Sequence, residues 1–261
     1  MVHTASPFPQ GNPRHEDDLI KPAVEGSLTV MEACKENKVK RVVVTSSIAA
    51  SINQRPENHK EMYTEEDYSD PEACEAYEKS KTLAEEAVWK FQKEECPELE
   101  VVTILPGFVL GPNLVKCSFT SGDVMTNMIT GKMFRMPHIQ YPLVDVRDVA
   151  FAHLQGIKVP EARNQRFLTS STSLWFNQIG EIIHAEFPNR FTFSNAEAKY
   201  CMVWMMSCFN SDVKRVAAIW GRIQQVDGSK AERVLGFKYM SHNKSLHDMV
   251  DALYATGYIP Q

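Results

Sequence analysis

Lys40-Arg41-Val42-Val43-Val44-Thr45-Ser46-Ser47 is a β-branched run that opens on two cations and closes on three hydroxyls. A run with apolar residues on both sides of its alternation is the pattern of a strand buried within a parallel sheet. Strand alternation turns Ser46 and Ser47 to opposite sides, so only one of them faces a ligand at the strand's carboxyl end. Further along stands Tyr77-Glu78-Lys79-Ser80-Lys81. Its helical spacing puts a phenol and an ammonium one turn apart on the same face.

Those groups suit carbonyl reduction. A phenol with an ordinary pKa of about 10 releases its proton more readily when an ammonium favours the phenolate, so Lys81 is expected to lower the pKa of Tyr77. The phenol then protonates a carbonyl oxygen while hydride arrives at the carbon. Ser47 is assigned to hold the substrate oxygen, in preference to Ser46. A lone Tyr-x-x-x-Lys also arises by chance, or as an exposed pair on a solvated helix. Of the eight tyrosines, however, only Tyr77 has lysine at the fourth position beyond it. It also opens a helical pattern that continues through Ala84, Val88 and Phe91.

Outward from these segments the chain alternates. Helices are expected over 17–38, 72–95, 123–130, 147–158 and 176–186, and strands over 40–46, 100–105 and 166–169. That βαβα rhythm implies a doubly wound parallel α/β sheet. Beyond residue 188 the rhythm breaks: 200–209 is Met- and aromatic-rich, 211–219 mixes polar and apolar residues, and 229–235 and 245–255 read as short helices. The domain expectation is a sheet domain over 1–112 continued by 141–170, with a smaller substrate lobe formed by 113–140 and 171–261. The Met- and aromatic-rich stretch 200–209 reads as core of that lobe, or alternatively as the lining of a bulky apolar pocket. The charge-rich loop 52–70 reads as solvated, or as a substrate-side loop beyond a strand end.

With 261 residues and 43 % hydrophobic content, the chain can bury a sizeable core. A net charge of −5 argues against nucleic-acid or anionic-membrane partners. The start has neither a basic nor an apolar leader region, and no apolar stretch reaches membrane-spanning length, so a cytoplasmic protein is expected. The six cysteines form no Cys-x-x-Cys and no zinc-type spacing with histidine; reduced thiols and no metal are expected. His153 is read as structural.

Three segments carry a family resemblance: 40–47, Tyr77-x-x-x-Lys81-Thr82-Leu83-Ala84-Glu85, and Leu105-Pro106-Gly107-Phe108-Val109-Leu110-Gly111-Pro112. They resemble the extended short-chain dehydrogenase/reductases, within them the dihydroflavonol reductase and cinnamoyl-CoA reductase branch. Val144-Asp145-Val146-Arg147-Asp148, Asp227-Gly228-Ser229-Lys230 with Leu235-Gly236-Phe237, and the closing Gly257-Tyr258-Ile259-Pro260 extend the likeness to nearly the whole chain. The resemblance implies a Rossmann-like fold and an NAD(P)H-dependent reductase of a ketone or aldehyde, with a small-molecule carbonyl substrate. Ser47, Tyr77 and Lys81 would be catalytic. Thr4, Ala5, Ser6, Tyr77, Lys81, Pro106, Gly107, Phe108 and Val109 would border the cofactor.

The family opens on a Gly-rich turn that cradles the dinucleotide pyrophosphate at a helix N-terminus. No such turn occurs among the twelve glycines here, and Met1-Val2-His3-Thr4-Ala5-Ser6-Pro7 resembles the family's segment after its fourth strand. The resemblance therefore implies a chain that starts mid-fold and leaves a sheet edge open to self-association or to a protein partner. Dinucleotide affinity no better than about millimolar is expected. NADP is slightly favoured over NAD by family, although the selecting residue is not in this chain. Glu72-Ala73-Cys74-Glu75-Ala76-Tyr77 stands where cinnamoyl-CoA reductases carry Asn-Trp-Tyr-Cys-Tyr, which counts against an acyl-CoA substrate. Two alternatives stay open: a catalytically inactive family member acting as a structural component of a larger assembly, or an NAD-dependent epimerase, dehydratase or steroid dehydrogenase of the same superfamily.

Overall fold

The computed structural model describes residues 1–7, 13, 15–209 and 211–259. Pro260, which closes the last matched segment, lies outside them. In chain order the elements are β1 (Val2–His3), α1 (Asp17–Glu36), β2 (Arg41–Thr45), α2 (Ala76–Glu94), β3 (Glu100–Pro106), β4 (Phe108–Leu110), α3 (Thr120–Ile129) and β5 (Gln140–Asp145). They continue as α4 (Val146–Lys158), β6 (Gln165–Thr169), β7 (Thr172–Trp175), α5 (Phe176–Glu186), α6 (Tyr200–Ser207), α7 (Ser211–Ala218), α8 (Ser229–Leu235) and α9 (His242–Ala255). None of the described helices is long and apolar enough to cross a membrane.

Two compact units result. The first comprises Met1–Gly107, Val149–Ser170 and Val226–Lys238. Its sheet is all parallel, in the order β1-β2-β3-β6. The β2 to β3 register sets Val42 opposite Val101 and Val43 opposite Val102. Because paired residues share a face and neighbours alternate, the two pairs point to opposite sides. Val42, Val44 and Val101 pack with Met31 and Cys34 of α1 and Val88 of α2. On the other side, a Cβ on Gly156 of α4 would stand 3.3 Å from Val102 and 3.4 Å from Val43, so the absence of a side chain lets that helix lie close. Helices thus cover both faces, as a doubly wound α/β fold requires. Arg41 binds the carbonyls of Gly156, Ile157 and Val159 at the end of α4 and pairs with Glu100.

The second unit comprises Phe108–Asp148, Ser171–Gln225 and Tyr239–Gln261. Its small sheet runs β4-β5-β7, with β4 parallel and β7 antiparallel to β5. Leu143, Phe176, Ile179, Ile183, Met249 and Leu253 lead its core. Gly111 has φ +109, and a Cβ there would meet Asp145 Oδ2 at 3.0 Å, so only glycine fits.

The division differs from the sequence expectation in three stretches. Residues 108–112 and 141–148 belong to the second unit, because β4 and β5 pair with each other there. Residues 226–238 belong to the first, where Ala231 and Leu235 of α8 are buried. The expectation of α6 as lobe core is overturned. Only Val203 of that helix is buried, while Trp204 is 61 % and Met205 58 % exposed. All six cysteines are free thiols.

Candidate active site

The carboxyl ends of the first unit's strands gather the residues singled out above. Ser46 follows β2 and donates its backbone N–H to Ile104 O at 2.8 Å. Ser47 is extended and caps the short turn Ile48–Ala50, its Oγ accepting Ala49 N–H at 3.1 Å. The capping role uses the oxygen of Ser47 as acceptor and leaves its proton to donate. The Ser47 hydroxyl meets Tyr77, which stands in the first turn of α2.

Tyr77 and Lys81 do not tune each other as expected. Burial pushes the Tyr77 phenol up to about 12, against the pull of the Ser47 hydrogen bond. Burial also brings Lys81 down to about 8. The ammonium lies 5.7 Å from the centroid of the Tyr77 ring, over its π face. Desolvation of both groups therefore outweighs the charge effect that spacing alone suggested. Lys81 is 9 % exposed, and among the described residues its ammonium has no carboxylate or hydrogen-bond partner. His3, Ala5, Ser6, Ser46 and Lys81 line one small hollow at this end of the sheet. His3 escaped the sequence reading; burial and the nearby Lys81 charge lower its pKa.

The remaining assigned residues are spread more widely. Thr4 and Ala5 are exposed, and Ser6 is half-buried. Pro106 ends β3, and Gly107 N–H donates to Thr169 O at 3.0 Å. Phe108 and Val109 lie in the second unit, where Phe108 stacks on Tyr141 with centroids 5.2 Å apart. His153 is structural: its Nε2 is 2.6 Å from Thr45 Oγ1 and its Nδ1 is 2.7 Å from Val149 O. The loop 52–70 is less solvated than its composition suggests, with Tyr63 and Asp67 buried and Ser69 Oγ donating to Ala49 O.

A buried charge cluster beneath the site was also missed. Glu85 accepts Ser46 Oγ at 2.6 Å, Thr103 Oγ1 at 2.9 Å, Trp89 Nε1 at 3.2 Å and Arg166 Nε at 2.8 Å. Arg166 in turn binds the carbonyls of Glu65 and Asp67 and sits 3.8 Å from the Tyr68 ring centroid. An arginine beside Phe167 and Leu168 in the expected strand 166–169 was the available signal, since a charge on a buried strand needs a partner.

With that geometry in view, comparison with known proteins is informative. The model of the NAD dependent epimerase/dehydratase family matches residues 1–169. The chain belongs to that family. Over 195 residues it is 36 % identical to a cinnamoyl-CoA reductase of Medicago truncatula, covering 72 % of this chain and 59 % of the relative. A ketoreductase of Aspergillus niger is 35 % identical over 204 residues, covering 72 % of this chain and 60 % of the relative. The crystal structure of the yeast methylglyoxal/isovaleraldehyde reductase complexed with NADPH superposes with a TM-score of 0.76 at 25 % identity, over 99 % of this chain and 77 % of that one. The chain thus spans about three-fifths of the length of the curated relatives it matches. Its family membership accords with the parallel α/β sheet of the first unit.

Proposed function

We propose that this chain carries the proton-donating site of a reductase acting on ketones or aldehydes with NADPH or NADH. The observation that carries the reading is the convergence of Ser47, Tyr77 and Lys81 at the carboxyl ends of a parallel sheet, where ligands of open α/β folds bind. A buried ammonium that has no carboxylate or hydrogen-bond partner among the described residues fits the hydroxyl oxygens of a nicotinamide ribose, and His3, Ala5 and Ser6 line the hollow beside it. No Gly-rich turn stands among these residues, so the fit extends to the nicotinamide end of a dinucleotide.

When bound, the reduced nicotinamide supplies hydride to the carbonyl carbon. Ser47 donates a hydrogen bond that orients the carbonyl oxygen. Tyr77 delivers its proton to that oxygen as the carbon–oxygen double bond becomes a single bond. With its pKa near 12, the phenol stays loaded with a proton across the neutral range, which suits an acid that must not ionise before substrate arrives. Lys81 holds the ribose and offers positive charge to the phenolate left after transfer.

The test is carbonyl-dependent oxidation of NADPH by this chain, with cofactor in the ~millimolar range to allow for weak binding. Tyr77→Phe is expected to lower the rate about 10² to 10⁴-fold with an unchanged circular dichroism spectrum. A variant keeping more than half the activity removes Tyr77 from the mechanism.

A further inference from the structure

Tyr77, Lys81 and Glu85 stand at i, i+4 and i+8 on α2 and share one face of the helix. The first two belong to the reaction proposed above. Glu85 has no hydrogen bond or ion pair with either, and its side chain is 1 % exposed. Besides Trp89 of its own helix, its donors come from three strands adjacent in the sheet: Ser46 from the end of β2, Thr103 from β3 and Arg166 from β6.

We infer that Glu85 is a positioning residue, which fixes the rotation of α2 against the end of β2 and so holds the Tyr77 phenol against the Ser47 hydroxyl. The bond that carries this is the one from Ser46, the residue joined to Ser47 by the chain itself. Ser46 is held from both ends, its N–H by Ile104 O and its hydroxyl by Glu85 at 2.6 Å. A helix turned by about 20° displaces an atom about 6 Å from its axis by about 2 Å, which is enough to break a hydrogen bond. Glu85 is not the counter-ion of Lys81: no hydrogen bond or ion pair joins the two, and the carboxylate is paired with Arg166 instead. Its charge is matched by Arg166 at 2.8 Å. Nor does the pairing with Arg166 by itself require Ser46: besides Glu85, Arg166 binds the carbonyls of Glu65 and Asp67 and the Ser51 hydroxyl and lies over the Tyr68 ring, with no bond of its own to Ser46.

The inference rests on the reductase reading for its kinetic arm, so the experiment has a second arm free of turnover. The full chain is labelled with [¹³Cζ]tyrosine, the Tyr77 resonance is assigned with Tyr77→Phe, and Glu85→Gln, Ser46→Ala and their double variant are compared with wild type. Leu99→Ala serves as a control, because Leu99 lies in the core between the sheet and helices α1 and α2, away from the site. Glu85→Gln and Ser46→Ala are each expected to move the Tyr77 resonance, the double variant no further than Glu85→Gln, and Leu99→Ala not at all despite its loss of thermal stability. In turnover, kcat is expected to fall about 10- to 100-fold in both single variants with KM changed less than about threefold. The double variant should be no worse than the poorer single.

A Tyr77 resonance unmoved in folded Glu85→Gln or in Ser46→Ala overturns the inference. So do additive losses in the double variant, which would put Ser46 directly on the substrate. Should Glu85→Gln fail to fold, Ser46→Ala decides alone, because it leaves the Arg166–Glu85 pair intact. A wild-type chain without turnover defeats the reductase reading, while the resonance still decides the role of Glu85.

Discussion

Each unit holds an almost fully buried, arginine-paired carboxylate, and the two are stabilised differently. Glu85 in the first unit faces an arginine that is itself 6 % exposed. Asp145 in the second unit is equally buried, yet its partner Arg147 is 37 % exposed and also reaches Asp248 at 2.7 Å. Burial pushes the Asp145 carboxyl up, but hydrogen bonds from Arg147 and Ser245 outweigh it and hold the group below the usual aspartate range. Water can replace a lost donor at Arg147. Nothing can replace one at Arg166, because a dry charge that loses its partner has neither solvent nor counter-ion. The contrast places the least tolerant electrostatics directly beneath the candidate site.

The largest expected effect breaks the first cluster. Arg166→Met leaves Glu85 buried without its cation and should cost about 3–5 kcal/mol of unfolding free energy, read by urea denaturation. A loss under about 1 kcal/mol would mean that water reaches Glu85 and that the two clusters are alike.

Next in size is Lys81→Met, which has the opposite sign. The folded-state pKa of Lys81, about 8, lies below its ordinary 10.5, so burying the cation destabilises the fold at neutral pH. The penalty is full below about pH 8 and is relieved as pH rises toward 10.5. Lys81→Met should therefore be more stable than wild type by about 3 kcal/mol near neutrality. The advantage should vanish by about pH 10.5, as paired melts at the two pH values would show. An advantage independent of pH would assign the gain to packing and not to charge.

The smallest effect sharpens the comparison from the other side. Arg147→Met should cost about 1–2 kcal/mol, less than Arg166→Met, because solvent reaches that guanidinium. The contribution of Asp145 is present above its unfolded pKa of 3.8 and lost as pH falls through the lower folded value. Without Arg147 the acid limb of a stability profile should shift to higher pH, and an unshifted limb would mean that Ser245 alone holds the carboxylate down.

Most helices and the first unit's longer strands were legible because their signals are local. The 3.6-residue period of residues 17–36 and 76–94 and the unbroken valines of β2 need no partner to be recognised. The short strands were not. Two-residue β1 and three-residue β4 carry too few residues for alternation, and Pro142 inside β5 argues against a strand. In the fold Pro142 is opposite Ser173 of antiparallel β7, beyond the reach of the β4 ladder, where its missing N–H is tolerated. The α6 segment failed for another reason. Its composition promises burial, but no periodicity tells which face packs, and among its residues only Val203 is buried.

By itself the sequence determined the family, the parallel α/β architecture and the residue types of the candidate site, since each is written in short-range spacing: hydroxyls at a strand end, Tyr-x-x-x-Lys on a helix. Only the tertiary structure decided how those groups titrate and what holds them. Spacing gives the distance between Tyr77 and Lys81 along a helix, but desolvation depends on everything packed around them, and it drives the phenol up and the ammonium down. Glu85 likewise reads as one more helix glutamate until Ser46, Thr103 and Arg166, from three separate strands, converge on it. That convergence is a long-range property, set when the strands align and water is excluded, and no local pattern encodes it.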